Sequence, residues 1–187
     1  MKSVLISIQP KWCELIASGK KTIEVRKTMP KVEEPFKVYI YCTQGKFKDL
    51  GVIGNQMYHK RMKVIGEFVC DEIECFTTDY RADIEQVKRI IKQSCVCFMG
   101  LSEYEANSMC LYGWHISNLV IYDKPRELSE FRVVKSQKCP AYLNGLCLDV
   151  EQNHVIHCEN LDCKCKNLTR PPQSWCYVES EVEQNAR

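Results

Sequence analysis

The sequence predicts an α+β fold: a small β-barrel decorated by short helices, followed by a cysteine-rich C-terminal appendage. Three observations carry that expectation. Several short runs of alternating, β-branched residues are separated by few helical stripes, which suits a small barrel better than a doubly wound parallel sheet. The chain opens as strand, short helix, strand. Its cysteines then crowd into residues 139–165, where large apolar residues thin out.

Residues 2–8 alternate and carry Val4, Ile6 and Ile8, which reads as a strand. Pro10 suits the first turn of a helix, Cys13, Ile16 and Ala17 give it an apolar stripe, and Gly19 stands where a C-terminal cap belongs. Residues 21–27 resume alternation as a second strand. Residues 36–42, introduced by Pro35, form a third, and residues 44–61 read as a loop. Residues 62–75 read as one long strand, with Gly66 marking a bulge or a close approach. Ile84, Val87, Ile90 and Ile91 give residues 83–93 the spacing of an amphipathic helix. Ser102 is the expected N-cap of another helix, with Glu105 completing a capping box. Residues 114–122 form a further strand, ended by Lys124-Pro125. The boundary falls near Gln137, giving a domain over 1–136 and a cysteine-rich segment with a returning tail over 137–187.

Composition narrows the function. At 187 residues the chain can bury one good core and a small appendage. A formal net charge of +2 excludes wholesale polyanion binding, so any nucleic-acid contact has to come from a local patch. No run approaches the roughly 20 apolar residues needed to cross a bilayer, and the N-terminus lacks a signal-peptide pattern. The expected location is therefore cytoplasmic, with no membrane partner.

The second strand carries the polar chemistry. Period-2 geometry places Lys20, Thr22, Glu24 and Arg26 on one face, with Ile23 and Val25 on the other. By the same parity Lys21 points away from Glu24, unless the turn at Gly19 shifts the register. A guanidinium and an ammonium beside a carboxylate can grip a phosphate or a polar base edge. An ordinary solvated strand face has the same pattern.

The octapeptide Gly19-Lys20-Lys21-Thr22-Ile23-Glu24-Val25-Arg26 resembles the G-x-K-x-x-E-x-R signature of ASCH domains, a branch of the PUA-like superfamily. Residues 5–12, 64–68 and 112–119 resemble the flanking and closing strands of that family. Residues 170–177 resemble the tail of ASCH proteins carried by Gram-positive bacteria and their phages. The likeness covers roughly residues 1–130 plus this tail. It implies a PUA-like barrel with a cleft that binds RNA or a nucleotide-like ligand. The expected ligand-binding residues are Lys20, Lys21, Glu24, Arg26, Glu67 and Trp114. Lys and Arg would meet phosphates, and Glu24 would fix Arg26 or accept from a base amino group.

Some ASCH relatives are reported as acetylcytidine amidohydrolases that use a lysine and a threonine of this motif with a distant glutamate. Lys21 matches that lysine, and Glu67 is the candidate for the distant acid. Glu24, however, stands where the threonine is expected, which argues against carrying the activity over. A hydrolase acting on RNA or a modified nucleoside is the alternative, with Lys21 and Glu67 as catalytic candidates. A phage-borne adaptor that binds a protein partner is the third reading. His115, in an apolar strand, reads first as a core or hydrogen-bonded residue. Tyr39, Tyr41 and Trp114 can stack a base, but aromatics at alternate strand positions more often form core.

Of the 13 cysteines, Cys13, Cys42, Cys70, Cys75, Cys95, Cys97 and Cys110 sit among apolar residues and read as small buried hydrophobes. Cys139, Cys147, Cys158 and Cys163 are the expected ligands of a structural zinc, with Cys165 as the substitute and His154 and His157 as competitors. Cys176 is expected to pack the returning tail against the barrel.

Overall fold

The structure is a computed structural model that describes residues 2–45, 57, 59–106, 108–133 and 167–179. Its elements in chain order are β1 (Lys2–Ile8), α1 (Pro10–Ala17), β2 (Ile23–Arg26), β3 (Phe36–Cys42), β4 (Lys63–Cys70) and β5 (Ile73–Phe76). There follow α2 (Ile84–Ser94), α3 (Phe98–Glu105), β6 (Leu111–His115), β7 (Ser117–Arg126), a 3₁₀ turn over Leu128–Glu130, and β8 (Trp175–Glu179). No helix among the described residues is long and apolar enough to cross a membrane.

The α+β class holds, but the strands do not close into a barrel. Backbone pairing among the described residues gives a five-stranded sheet of order β7-β4-β3-β1-β8 and a three-stranded sheet of order β2-β6-β5. The long strand expected over 62–75 leaves the first sheet after Cys70, turns at Asp71-Glu72, and enters the second as β5. The closing strand does the reverse at Ile116, between β6 and β7. The chain thus crosses between the sheets through α1, residues 27–35 and the two strand corners, and among the described residues no ladder joins them. Side chains fill the gap instead, with Ile8, Ile16, Phe36, Phe68 and Trp114 in one buried cluster.

Local chemistry explains the elements. Lys20 N–H donates to Leu15 O and Gly19 N–H to Ile16 O, both at 2.9 Å, with Gly19 at φ +71°. That pair of bonds is a Schellman C-cap, and it requires the left-handed conformation glycine adopts without strain. Because the cap occupies Gly19 and Lys20, β2 begins only at Ile23, two residues later than expected. Asp83 caps α2 by accepting from Glu85 N and Gln86 N. Gly66 sits where β4 and β7 come closest: a Cβ there would collide with the carbonyl oxygen of Val120. The ladder shifts register on both sides of it.

Three other expectations change. Ser102 does not cap a helix, because α3 starts four residues earlier at Phe98. Glu105, free of a capping role, turns inward and accepts from the backbone N–H and the hydroxyl of Thr78. Pro125 does not end its strand, since β7 runs on to Arg126 at the edge of its sheet, where a missing N–H costs little. Among the scattered cysteines, Cys13, Cys42 and Cys70 are buried, whereas Cys75 and Cys97 are exposed.

The tail returns into the main sheet. β8 pairs antiparallel with β1, placing Cys176 opposite Leu5 and Trp175 opposite Ile6. Cys176 packs against the cluster of Leu5, Tyr39 and Phe131, and burial pushes its thiol up to about 11. The expected boundary at 136/137 and the candidate zinc ligands Cys139, Cys147, Cys158 and Cys163 lie outside the described residues, as do Cys165, His154 and His157. Among the described residues no group of three or more His, Cys, Asp or Glu side chains could hold a metal.

Candidate functional site

A cleft of about 500 Å³ opens between the two sheets. Its floor comes from β2, and its walls come from the β1–α1 junction, α3 and the returning tail. That volume is in the range of small-molecule and nucleotide sites, ~300–1,000 Å³. Lys21, Glu24, Val25 and Arg26 all line it, so four residues of the octapeptide converge there, three of them charged.

Parity correctly places Ile23 and Val25 in the core, at 0% and 7% exposure, in the cluster packed under α2. It fails for Lys21, which precedes the strand. Released from the alternation by the Gly19 turn, Lys21 folds back toward Glu24, leaving Nζ 3.3 Å from Glu24 Oε2. Its side chain is buried. The ammonium donates to the carbonyls of Ile23 and Ser94, each at 2.8 Å. Ser94 is the last residue of α2, where carbonyls lack intrahelical donors and a positive charge suits the helix dipole. Nζ also lies 5.2 Å from the centre of the Trp12 ring.

Arg26 bridges the sheets. Its Nη1 pairs with Glu24 Oε1 at 2.9 Å, and its Nη2 donates to the carbonyl of Ser7 on β1 at 2.7 Å. Ser7 in turn ties down the tail, its hydroxyl donating to Pro172 O at 2.7 Å and its N–H to Ser174 O at 2.8 Å. Two buried polar atoms in this array lack a hydrogen bond, though one of them keeps an ion pair. Glu24 Oε2 is near Lys21 Nζ but outside hydrogen-bond geometry, and Arg26 Nε has no acceptor. Cys13 lies close by, fully buried, and desolvation together with the neighbouring Cys42 thiol pushes its own thiol far up, so it stays neutral.

The other expected site residues lie elsewhere. Lys20 is exposed and does not line the cleft. Glu67 stands opposite Tyr39 in the ladder, and its partners are Lys37 and the Tyr122 hydroxyl. Tyr39, Tyr41 and Tyr122 belong to the cluster on the opposite face of the five-stranded sheet, so Glu67 points away from the cleft. Burial alone would raise the Glu67 pKa, but hydrogen bonds from Lys37 and Tyr122 outweigh it and hold it below the ordinary value. Trp114 is fully buried, packed edge-on against Phe36 and tilted against Trp175. His115 binds Glu74 at 2.8 Å, away from the cleft.

Sequence reasoning missed Trp12, Tyr104, Pro172 and Gln173, all of which line the cleft. For Trp12 a signal was present: a tryptophan beside the Cys13/Ile16 stripe of a short helix sits at the rim of the core, half-buried against it. For Gln173 there was none, because strand pairing alone brings the tail to β1.

The model of the ASCH domain family matches residues 6–126. Among solved structures, the chain is similar to the crystal structure of an ASCH protein from Zymomonas mobilis, with a TM-score of 0.58 and 16% identity, covering 98% of this chain and 92% of that one. A tyrosine-to-phenylalanine variant of that protein gives a TM-score of 0.58 at 17% identity, covering 100% and 96%. A serine-to-alanine variant gives 0.57 at 16%, covering 98% and 93%. No curated protein matches. With Lys21, Glu24 and Arg26 on the floor of the cleft and the family model spanning β1 to β7, this chain belongs to the ASCH domain family, a branch of the PUA-like superfamily.

Proposed function

We propose that this protein binds RNA or a nucleotide-like ligand in the cleft floored by Lys21, Glu24 and Arg26. One observation carries this reading. A buried cation–carboxylate–cation trio lies at the base of a ligand-sized cleft whose walls include the aromatic rings of Trp12 and Tyr104. Stacking on such rings supplies ~1–3 kcal/mol per base and tolerates any sequence. Charged groups beneath give orientation. The engagement of Lys21 Nζ by two carbonyls supports binding over hydrolysis, since a nucleophilic or proton-transferring lysine needs a free nitrogen.

The test is anisotropy of a labelled single-stranded RNA with wild-type protein and with Trp12→Ala. The variant is expected to bind roughly 5- to 150-fold more weakly while its circular dichroism is unchanged. Equal binding by the two proteins would refute a role for the cleft. The clustered cysteines keep their own proposal: freshly purified, reduced protein carries about one equivalent of zinc. Elemental analysis finding none would remove it.

A further inference from the structure

Among the described residues, two cysteine pairs bring their thiols close enough to interact, and burial separates the two pairs. Cys13 and Cys42 are fully buried, and each Sγ donates to a carbonyl, of Ile8 and of Thr43. That pair is closed to solutes. Cys75 is exposed and Cys110 is half-buried, both at the outer part of the three-stranded sheet.

The ladder puts the accessible pair together. Cys75 stands opposite Tyr112, and Phe76 stands opposite Leu111. Phe76 and Leu111 turn into the cluster under α2, so alternation turns Cys75, Tyr112 and Cys110 to the other face. Tyr112 indeed packs against the cluster between the sheets. Cys110 is then the diagonal neighbour of Cys75. Their contact is felt at Cys75, whose thiol burial, the Cys110 thiol and the Glu105 carboxylate push up to about 11.

Two features decide what such a pair can hold. Diagonal neighbours on an antiparallel ladder stand ~7–8 Å apart, beyond the ~4.4–6.8 Å that separates the α-carbons of a disulfide. The sulfurs are therefore placed to share an atom between them, not to bond directly. No further ligand stands ready. Glu105 already accepts from the Thr78 N–H and hydroxyl, and no group of three His, Cys, Asp or Glu that could hold a metal occurs among the described residues. Zinc takes four ligands and hard cations take oxygens, so neither suits the pair. Soft thiolates select copper(I), a closed-shell cation that two sulfurs in line can satisfy.

We propose that Cys75 and Cys110 form a two-thiolate site for a soft monovalent cation of the copper(I) class, on the face of the small sheet opposite α2. The cation displaces both thiol protons, leaving a bis-thiolate complex with one net negative charge and two free protons. No electron is transferred. Because its surroundings keep the Cys75 thiol protonated at neutral pH, binding tightens as pH rises. The site stands apart from the cleft and does not depend on the RNA reading.

The test is alkylation of the intact chain by N-ethylmaleimide, with free copper(I) held by a chelator buffer and each cysteine read by mass spectrometry. Where free copper is about ten times its dissociation constant, Cys75 and Cys110 are expected to react about tenfold more slowly, and together. Raising the pH is expected to bring that protection on at lower free copper. In Cys75→Ser the protection of Cys110 is expected to vanish, and in Cys110→Ser that of Cys75, with circular dichroism unchanged. Alkylation of both cysteines at wild-type rates at every copper level overturns the inference, as does a Cys75 still protected in Cys110→Ser. Protection that outlasts removal of the copper marks a disulfide and overturns it equally.

Discussion

Glu24 and Glu74 flank the same strand, β6, from either side, and they differ in how far their hydrogen-bonding capacity is filled. Glu24 stands opposite Trp114 and faces the main sheet. Glu74 stands opposite Gly113 and faces α2 on the other side. Glu74 is saturated: both Arg89 terminal nitrogens donate to it at 2.8 and 2.6 Å, Gln86 at 3.0 Å, and His115 meets it at 2.8 Å. Glu24 accepts from Arg26 on one oxygen and has only the Lys21 ammonium, at 3.3 Å, beside the other. An ion cluster that only holds two elements together can close on itself, as at β5 and α2. A cluster whose charged members also line a cleft can meet a ligand there.

Removing each carboxylate tests that contrast. Glu24→Ala strands two cations, with Lys21 at 2% and Arg26 at 13% side-chain exposure, and is expected to cost about 3–5 kcal/mol in urea unfolding. Glu74→Ala is expected to cost less, about 1–2 kcal/mol, because Arg89 is half exposed and water replaces its partner. Equal losses would erase the distinction.

The acid limb sharpens it. Burial opposes ionisation of Glu74, yet hydrogen bonds from Arg89, Gln86 and His115 prevail and hold its carboxyl at about 2. A depressed native pKa gives stability that is full above the ordinary value of 4.5 and is lost as pH falls from there toward 2. The ceiling is about 3 kcal/mol, reduced by solvent around Arg89. Glu74→Gln is therefore expected to flatten the fall in stability between those pH values, seen in urea midpoints. An unchanged acid limb would show that the cluster contributes nothing. Smallest of all, His115→Gln, which keeps a donor toward Glu74, is expected to shift stability by about 0.5 kcal/mol and to leave RNA affinity unchanged.

Much of this molecule was legible in its sequence, and what was not shares a physical origin. Period-2 and helical patterns report local geometry, so β1, α1, β3 and α2 were found nearly to the residue. The same patterns cannot say which sheet a strand joins. The run from Met62 to Cys75 is apolar and β-branched along most of its length, and only the turn at Asp71-Glu72 moves its end into another ladder. Parity identified Glu24 and Arg26 as companions but misplaced Lys21, because the Gly19 cap ends the alternation before it begins. Glu67 followed from resemblance and Trp114 from its aromatic character, and ladder register sends one to the far face and the other into the core.

The Ser7–tail contacts have a consequence for the order in which the protein is made. β1 leaves the ribosome long before its neighbour β8. Until Trp175–Glu179 emerges, β1 has β3 on one side and an open edge on the other, the kind of edge that templates aggregation. The wall at Pro172 and Gln173 arrives just ahead of β8. A growing chain therefore cannot hold a ligand as the finished protein does. Occupancy of the cleft reports that translation has passed the tail.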